Sequence, residues 1–355
     1  MSWESILDEP GRYREVDAGD VASLVRDLPE TLEAGEALGE EVAEGGAHEG
    51  VARAAVLGMG GSGLVGRVLA AYLEARWPVP VGVVREFHAP AWVGEGTLAI
   101  AVSYSGNTLE TLAAAEEAAA RGASLVALTG GGRLEELARR SSFPCVKVPA
   151  GRPPRCSLGY MAGALMGYLR RAGAFEFPPA AAVAAHLRGR WPRWGFDAPS
   201  ASNDAKKLAR ELYAAGGAAV YGAGSLAAVA AERCRTQLAE NAKYYASSHA
   251  FPELCHNELV AFEVPNAVAR DLYVVVFRPS REGGAEARQV DAALELIAPV
   301  VRGVTQLRAE AEDDLAALFE LIYFGDLASY YLSLLRRVDP EPVASIGKLK
   351  DALAS

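Results

Sequence analysis

The sequence is poor in metal-ligating and cross-linking residues. Its four cysteines, Cys145, Cys156, Cys234 and Cys255, show no Cys-x-x-Cys spacing. That excludes a disulfide framework and points to reduced thiols in a cytoplasmic protein. Five histidines (His48, His88, His186, His249, His256) include no pair at i,i+3 or i,i+4. A zinc centre of the His/Glu type is therefore not expected, nor any other metal or cofactor. The first residues, Met1 to Asp8, are charged and lack an apolar h-region, so no signal peptide is expected. No uninterrupted run reads as apolar enough to span a bilayer, and the Ala-rich tract 179–186 is too short. Excess positive charge is also missing. A net charge of −10 argues against a general nucleic-acid or membrane-surface role. It leaves room for phosphate binding by local dipoles and hydroxyls.

What is present is a repeated corner. Leu57-Gly58-Met59-Gly60-Gly61-Ser62-Gly63 and Val102-Ser103-Tyr104-Ser105-Gly106-Asn107-Thr108 each follow a strand-like run and open a helix-like one. Two such corners imply one anionic pocket at the carboxyl edge of a parallel sheet. Strands at 54–57, 79–84, 97–102, 124–128 and 145–148 alternate with helices, which predicts an α/β, doubly wound parallel sheet. The second half repeats the first. Gly222-Ala223-Gly224-Ser225 follows a strand as Gly58 to Gly61 does, but carries a lone hydroxyl. Further strands are expected at 272–277 and 301–307, and a strongly helical stretch at 315–335. At 355 residues two domains are expected. Residues 1–50 read as an N-terminal helical segment packed on the first domain, 51–175 as that domain, 176–202 as a Pro-containing linker and 203–355 as the second domain with a C-terminal helix.

Gly58-x-Gly60-x-x-Gly63 also satisfies the dinucleotide fingerprint, with Glu86 where a ribose-binding acid would stand. A tight turn without ligand is a third reading. The second corner discriminates, because a dinucleotide fold needs no Ser-x-Ser-x-x-Thr turn after its third strand, whereas a single phosphate can be encircled by such hydroxyls and helix-start N–H groups. Capping of the next helix by Asn107 or Thr108 is the structural alternative.

Together with Glu240-Asn241-Ala242-Lys243, Phe251-Pro252-Glu253-Leu254-Cys255-His256-Asn257-Glu258 and Ile346-Gly347-Lys348-Leu349-Lys350, these corners resemble the bifunctional phosphoglucose/phosphomannose isomerases, which carry two tandem sugar isomerase (SIS) domains. The resemblance covers roughly residues 50–355. It implies aldose–ketose isomerisation of glucose 6-phosphate and mannose 6-phosphate to fructose 6-phosphate through a cis-enediol, without metal. It further implies Glu240 as the proton-shuttling base, His256 in ring opening with Lys350 assisting, and Arg155 on the enediolate charge. Ser62, Ser103, Ser105 and Thr108 would hold the phosphate, and Gly60 and Gly61 would let the backbone approach the sugar. A homodimer is implied, with His256 contributed across the interface. Read without the resemblance, Glu240 pairs with Lys243 one turn on, His256 is structural, Lys348 competes with Lys350, and Arg152 with Arg155. The helix at 315–335 serves either that interface or the core. A related amino-sugar isomerase and a non-catalytic sugar-phosphate sensor on the same fold are the competing functions.

Overall fold

A computed structural model describes residues 3–45, 47–48, 50–264 and 266–354, apart from the side chains of 350, 351, 353 and 354. The chain forms two units, one of residues 27–188 with 313–316, the other of 3–26, 189–312 and 317–354.

The N-terminal segment opens with α1 (Val21–Arg26) and α2 (Leu28–Val42). One helix was expected there. The chain breaks at Asp27, and Pro29 falls in the first turn of α2, where its missing N–H costs no bond. The segment also divides between the units, rather than lying wholly on the first domain. Trp3 Nε1 donates to the Leu334 carbonyl at 3.0 Å and Tyr330 Oη to Asp17 at 3.0 Å, both within the second unit.

The first unit alternates β1 (Arg53–Leu57), α3 (Gly60–Leu73), β2 (Val81–Val84), β3 (Thr97–Ser103), α4 (Leu109–Ala120), β4 (Ser124–Thr129), α5 (Gly132–Ser141), β5 (Cys145–Lys147) and α6 (Leu158–Arg171). All pairings are parallel, in the order β2-β1-β3-β4-β5. The central strand β3 is buried throughout, as its unbroken apolar run requires. Against this sheet, α2 and α6 cross backbone to backbone. A Cβ would lie 2.3 Å from the Tyr160 carbonyl oxygen at Gly35, 2.0 Å from that of Ala164 at Gly39, 2.1 Å from that of Leu32 at Gly163 and 2.1 Å from that of Glu36 at Gly167. These glycines repeat every four residues on each helix, so they form one ridge per helix.

Residues 176–202, read from the sequence as a linker, contain the division between the units, after residue 188, but they are not unstructured. They contain α7 (Ala180–Trp194), with Pro178 and Pro179 just ahead of it and Pro192 in its last turn. Pro178 and Pro179 precede the helix and cost it nothing, whereas Pro192 forgoes its own N–H bond only two residues before the helix ends, so the composition misleads.

The second unit comprises α8 (Asp204–Ala214), β6 (Gly217–Ala223), α9 (Gly224–Ala242), β7 (Ala246–Phe251), α10 (Ala267–Asp271), β8 (Leu272–Arg278), α11 (Gly284–Ile297), β9 (Gly303–Arg308), α12 (Asp314–Arg336, its first turn counted with the other unit) and α13 (Ala344–Ala354). Its sheet is parallel, in the order β7-β6-β8-β9. The strand β7 has no counterpart among the sequence expectations. It is an edge strand, and Ser247, Ser248 and His249 give it a polar reading that edges tolerate. By length and composition α12 could cross a membrane, contrary to expectation. Its apolar window is entirely buried in the protein, so it is a core helix.

Gly163→Val is expected to lower stability by about 3 kcal/mol through overpacking at the α2–α6 crossing. Urea unfolding followed by circular dichroism would measure it. An unchanged midpoint would mean that the helices can separate at no cost.

Candidate functional site

In the first unit the chain turns from one side of the sheet to the other between β1 and β3, which are neighbours. Sheets of this order bind ligands in the crevice at the carboxyl ends of those two strands. Both corners singled out in the sequence lie there. The first helical residue after β1 is Gly60, and α4 follows the loop that leaves β3. Neither Met59 nor Thr108, the residues preceding α3 and α4, makes a side-chain cap. Two sets of helix-start N–H groups, at the positive ends of two helix dipoles, are therefore left without side-chain caps at one edge.

The hydroxyls are arranged around these helix starts. Thr108 Oγ1 lies 2.9 Å from Ser103 Oγ. Asn107 spends its amide on the Ser105 carbonyl (3.1 Å) and the Arg133 N–H (3.2 Å). The capping alternative thus fails for both residues. Ser62 Oγ accepts the Tyr104 N–H at 3.2 Å, joining the first corner to the second. Ser105 is exposed on the same loop, with its Oγ 3.3 Å from the Asn107 N–H. Gly60 has φ +51°, and a Cβ there would meet nothing within 4 Å, so the backbone lies open at this point.

Arg155 joins this edge from the turn Pro154–Ser157 that precedes α6. Its Cα lies 3.7 Å from where a Cβ on Gly61 would be. The two neighbouring arginines differ in burial. Arg155 is 3% exposed, whereas Arg152 is half-buried with its guanidinium 5.1 Å from the Tyr160 ring centre. Tyr104 holds the Arg loop down. Its hydroxyl donates to the Pro149 carbonyl (2.9 Å) and accepts the Arg152 N–H (3.0 Å). Tyr104 stands inside the second corner, and the sequence assigned it no role, since its partners lie 45 and 48 residues further on. Glu86 is exposed beyond β2. Helix starts, hydroxyls and a buried guanidinium together suit a phosphate-sized oxyanion.

Glu240, His256 and Lys350 belong to the second unit. Glu240 lies in the last turn of α9, a helix fixed by buried polar contacts. Arg233 grips Asp326 with two bonds of 3.0 and 2.7 Å, and Asn241 donates to Ser329 at 2.9 Å. Lys243 turns the chain at φ +50° and donates from Nζ to the carbonyls of Glu240 (2.8 Å), Asp339 (2.9 Å) and Pro340 (3.4 Å). His256 is exposed on the short helical turn Glu253–His256, just beyond β7. The helix α9 runs back along the sheet from the carboxyl end of β6. Glu240 is sixteen residues along it, or about 24 Å from that end. Within one chain, Glu240 and His256 therefore stand at opposite ends of the second sheet. Lys350 lies on α13, and its side chain is outside the described ones. Burial pushes the neighbouring Cys255 thiol up, away from the reactive thiolate. All four cysteines are free. Among the described residues no group of His, Cys, Asp and Glu is placed to hold a metal ion.

The sequence matches the SIS domain over residues 50–150 and the bacterial phospho-glucose isomerase C-terminal SIS domain over 201–353. It is 34% identical over 335 residues to a bifunctional phosphoglucose/phosphomannose isomerase of Caldicellulosiruptor bescii, covering 93% of this chain and 98% of that one. It is 26% identical to a D-glucosamine-6-phosphate 4-epimerase of Sulfolobus acidocaldarius, covering 84% of this chain and 88% of that one. A hypothetical protein from Thermus thermophilus shares the fold, with TM-score 0.74 and 20% identity over 100% of this chain and 96% of that one.

Replacing Ser103 and Thr108 together by Ala is expected to weaken binding of inorganic phosphate roughly tenfold. Titration calorimetry would read this. Equal affinity in the variant would remove these hydroxyls from the anion site.

Proposed function

Because the chain belongs to the bifunctional phosphoglucose/phosphomannose isomerase family, we propose that it interconverts glucose 6-phosphate and mannose 6-phosphate with fructose 6-phosphate through a cis-enediol. The observation that carries the reading is the edge shared by two uncapped helix starts, their hydroxyls and Arg155. In this reading the phosphate sits among Ser62, Ser103, Ser105 and Thr108, with the open backbone at Gly60 and Gly61 beside the sugar.

The chemistry then follows from what isomerisation demands. His256, assisted by Lys350, moves protons between the ring oxygen and O1 and opens the ring. The Glu240 carboxylate removes the proton from C2 of the open aldose and returns it to C1. Negative charge gathers on the enediolate oxygens, and Arg155 balances it. Since C2 is planar in the enediol, glucose and mannose phosphates share one intermediate, and the face of reprotonation decides which is formed. A guanidinium supplies the charge stabilisation that a metal would otherwise give, so the reaction is proposed to be metal-independent. The setting is proposed to be the cytoplasm, in keeping with four free thiols.

The separation of Glu240 from His256 within one chain supports a homodimer in which His256 completes the site of a second copy. Exposed valines follow His256 at 260, 264 and 268, with exposures of 58%, 72% and 77%. Exposed apolar side chains in the segment after a site residue suit an interface between copies.

Purified protein in EDTA is expected to turn over both aldose phosphates to fructose 6-phosphate, with Glu240→Gln inactive. Activity on glucose 6-phosphate alone would withdraw the dual range. Binding without turnover would favour the sensor, and turnover of amino-sugar phosphates alone would favour that alternative, which the epimerase relative makes concrete. Co-expression of Glu240→Gln with His256→Ala chains is expected to restore activity in mixed dimers, because one site per dimer regains both groups. Mixed dimers as inactive as either parent would place both residues in one chain's site.

A further inference from the structure

The turn that carries His256 is held at two points, one apolar and one polar. Leu254 and Phe262 are buried in the core formed with Tyr221, Phe251 and Val276. Between them, Glu258 reaches back to the sheet. Its Oε1 accepts the Tyr221 hydroxyl at 3.0 Å, and its Oε2 lies 3.3 Å from His249 Nε2. Tyr221 is fully buried at the middle of β6, and His249 stands opposite it on β7. The rings of Tyr221 and His249 meet edge to face at 6.1 Å. Burial, and then the Glu258 charge, push the Tyr221 phenol far above its ordinary range, so it stays a donor. Asn257 stiffens the link. It accepts the Glu258 N–H at 2.6 Å and donates to Glu253 at 3.0 Å.

We infer that Glu258 is a positioning residue for the isomerisation, clamping the His256 turn to β6 and β7 through Tyr221 and His249. This rests on the ring-opening role proposed above for His256. A histidine on an exposed turn has many orientations open to it. Anchors at Leu254 and Glu258, on either side of His256 in the chain, leave the imidazole little freedom except about its own side-chain torsions. Glu258 touches no reacting atom. Its effect passes through where the imidazole is presented, and small misplacements of a catalytic group lower kcat steeply.

The experiment is a double-mutant cycle between Glu258 and His256, with kcat and KM measured on glucose 6-phosphate. Glu258→Ala is expected to lower kcat roughly tenfold or more, with KM within about twofold of the parent. Glu258→Gln, which keeps an acceptor for Tyr221, is expected to recover part of the loss. In a His256→Ala background, Glu258→Ala is expected to have no further effect. Tyr221→Phe removes one hydroxyl from the clamp and leaves the ring in the core, so it replaces Glu258→Ala in the cycle should that variant not fold. Equal losses in both backgrounds, or a loss in KM alone, would overturn the clamp. Full activity of His256→Ala by itself would instead overturn the ring-opening reading on which the clamp rests.

Discussion

The helices α3 and α4 begin at the same sheet edge without side-chain caps, and the first unit is built around that deficit. Unpaired N–H groups at a helix start need a partner, and two positive dipole ends side by side favour an anion. The nearby hydroxyls bond to one another or to the backbone of the facing corner, as Thr108 does to Ser103 and Ser62 to Tyr104. Arg155 is delivered to this edge by the start of α6, and α6 is fixed by its crossing with α2. Strand order, uncapped helices and the helix crossing therefore act on the same few ångströms of space.

The second unit solves a different problem. Its own corner at Gly222 to Ser225 lacks the hydroxyl cluster, and its contribution comes from the far end of α9 and from the loop after β7. The buried Arg233–Asp326 pair and the Asn241–Ser329 bond hold α9 against α12. Such a pair adds little net stability but fixes register, since either partner alone would be a stranded charge. The two units share a fold, and in the proposed reading they divide the chemistry: anion recognition in one, proton transfer in the other.

Much of this was legible in the sequence because it rests on short local signals. Strand runs followed by Gly-rich turns marked both corners, and the motifs around Glu240 and His256 carried the family resemblance. What escaped has physical causes. The helix α7 was hidden by prolines just ahead of it and in its last turn, and β7 by the polar residues that an edge strand accommodates. The roles of Tyr104 and Glu258 depend on partners 45 and 37 residues away in the chain, which no local pattern shows. Arg155 and Arg152 differ in burial, and burial is a property of the fold. The spread of Glu240 and His256 to opposite ends of a sheet follows from helix length and strand direction once both are known.

The α2–α6 crossing has a consequence for heat. At Gly35, Gly39, Gly163 and Gly167 its closest contacts are main chain, so those points have no rotamers to populate as temperature rises. Glycine exacts its entropy loss from the unfolded chain, once, at folding. Afterwards those four contacts have no side-chain softness through which the Arg155 backbone could drift from Gly61. The spacing of the Arg155 Cα from Gly61 should expand with temperature no faster than the backbone itself.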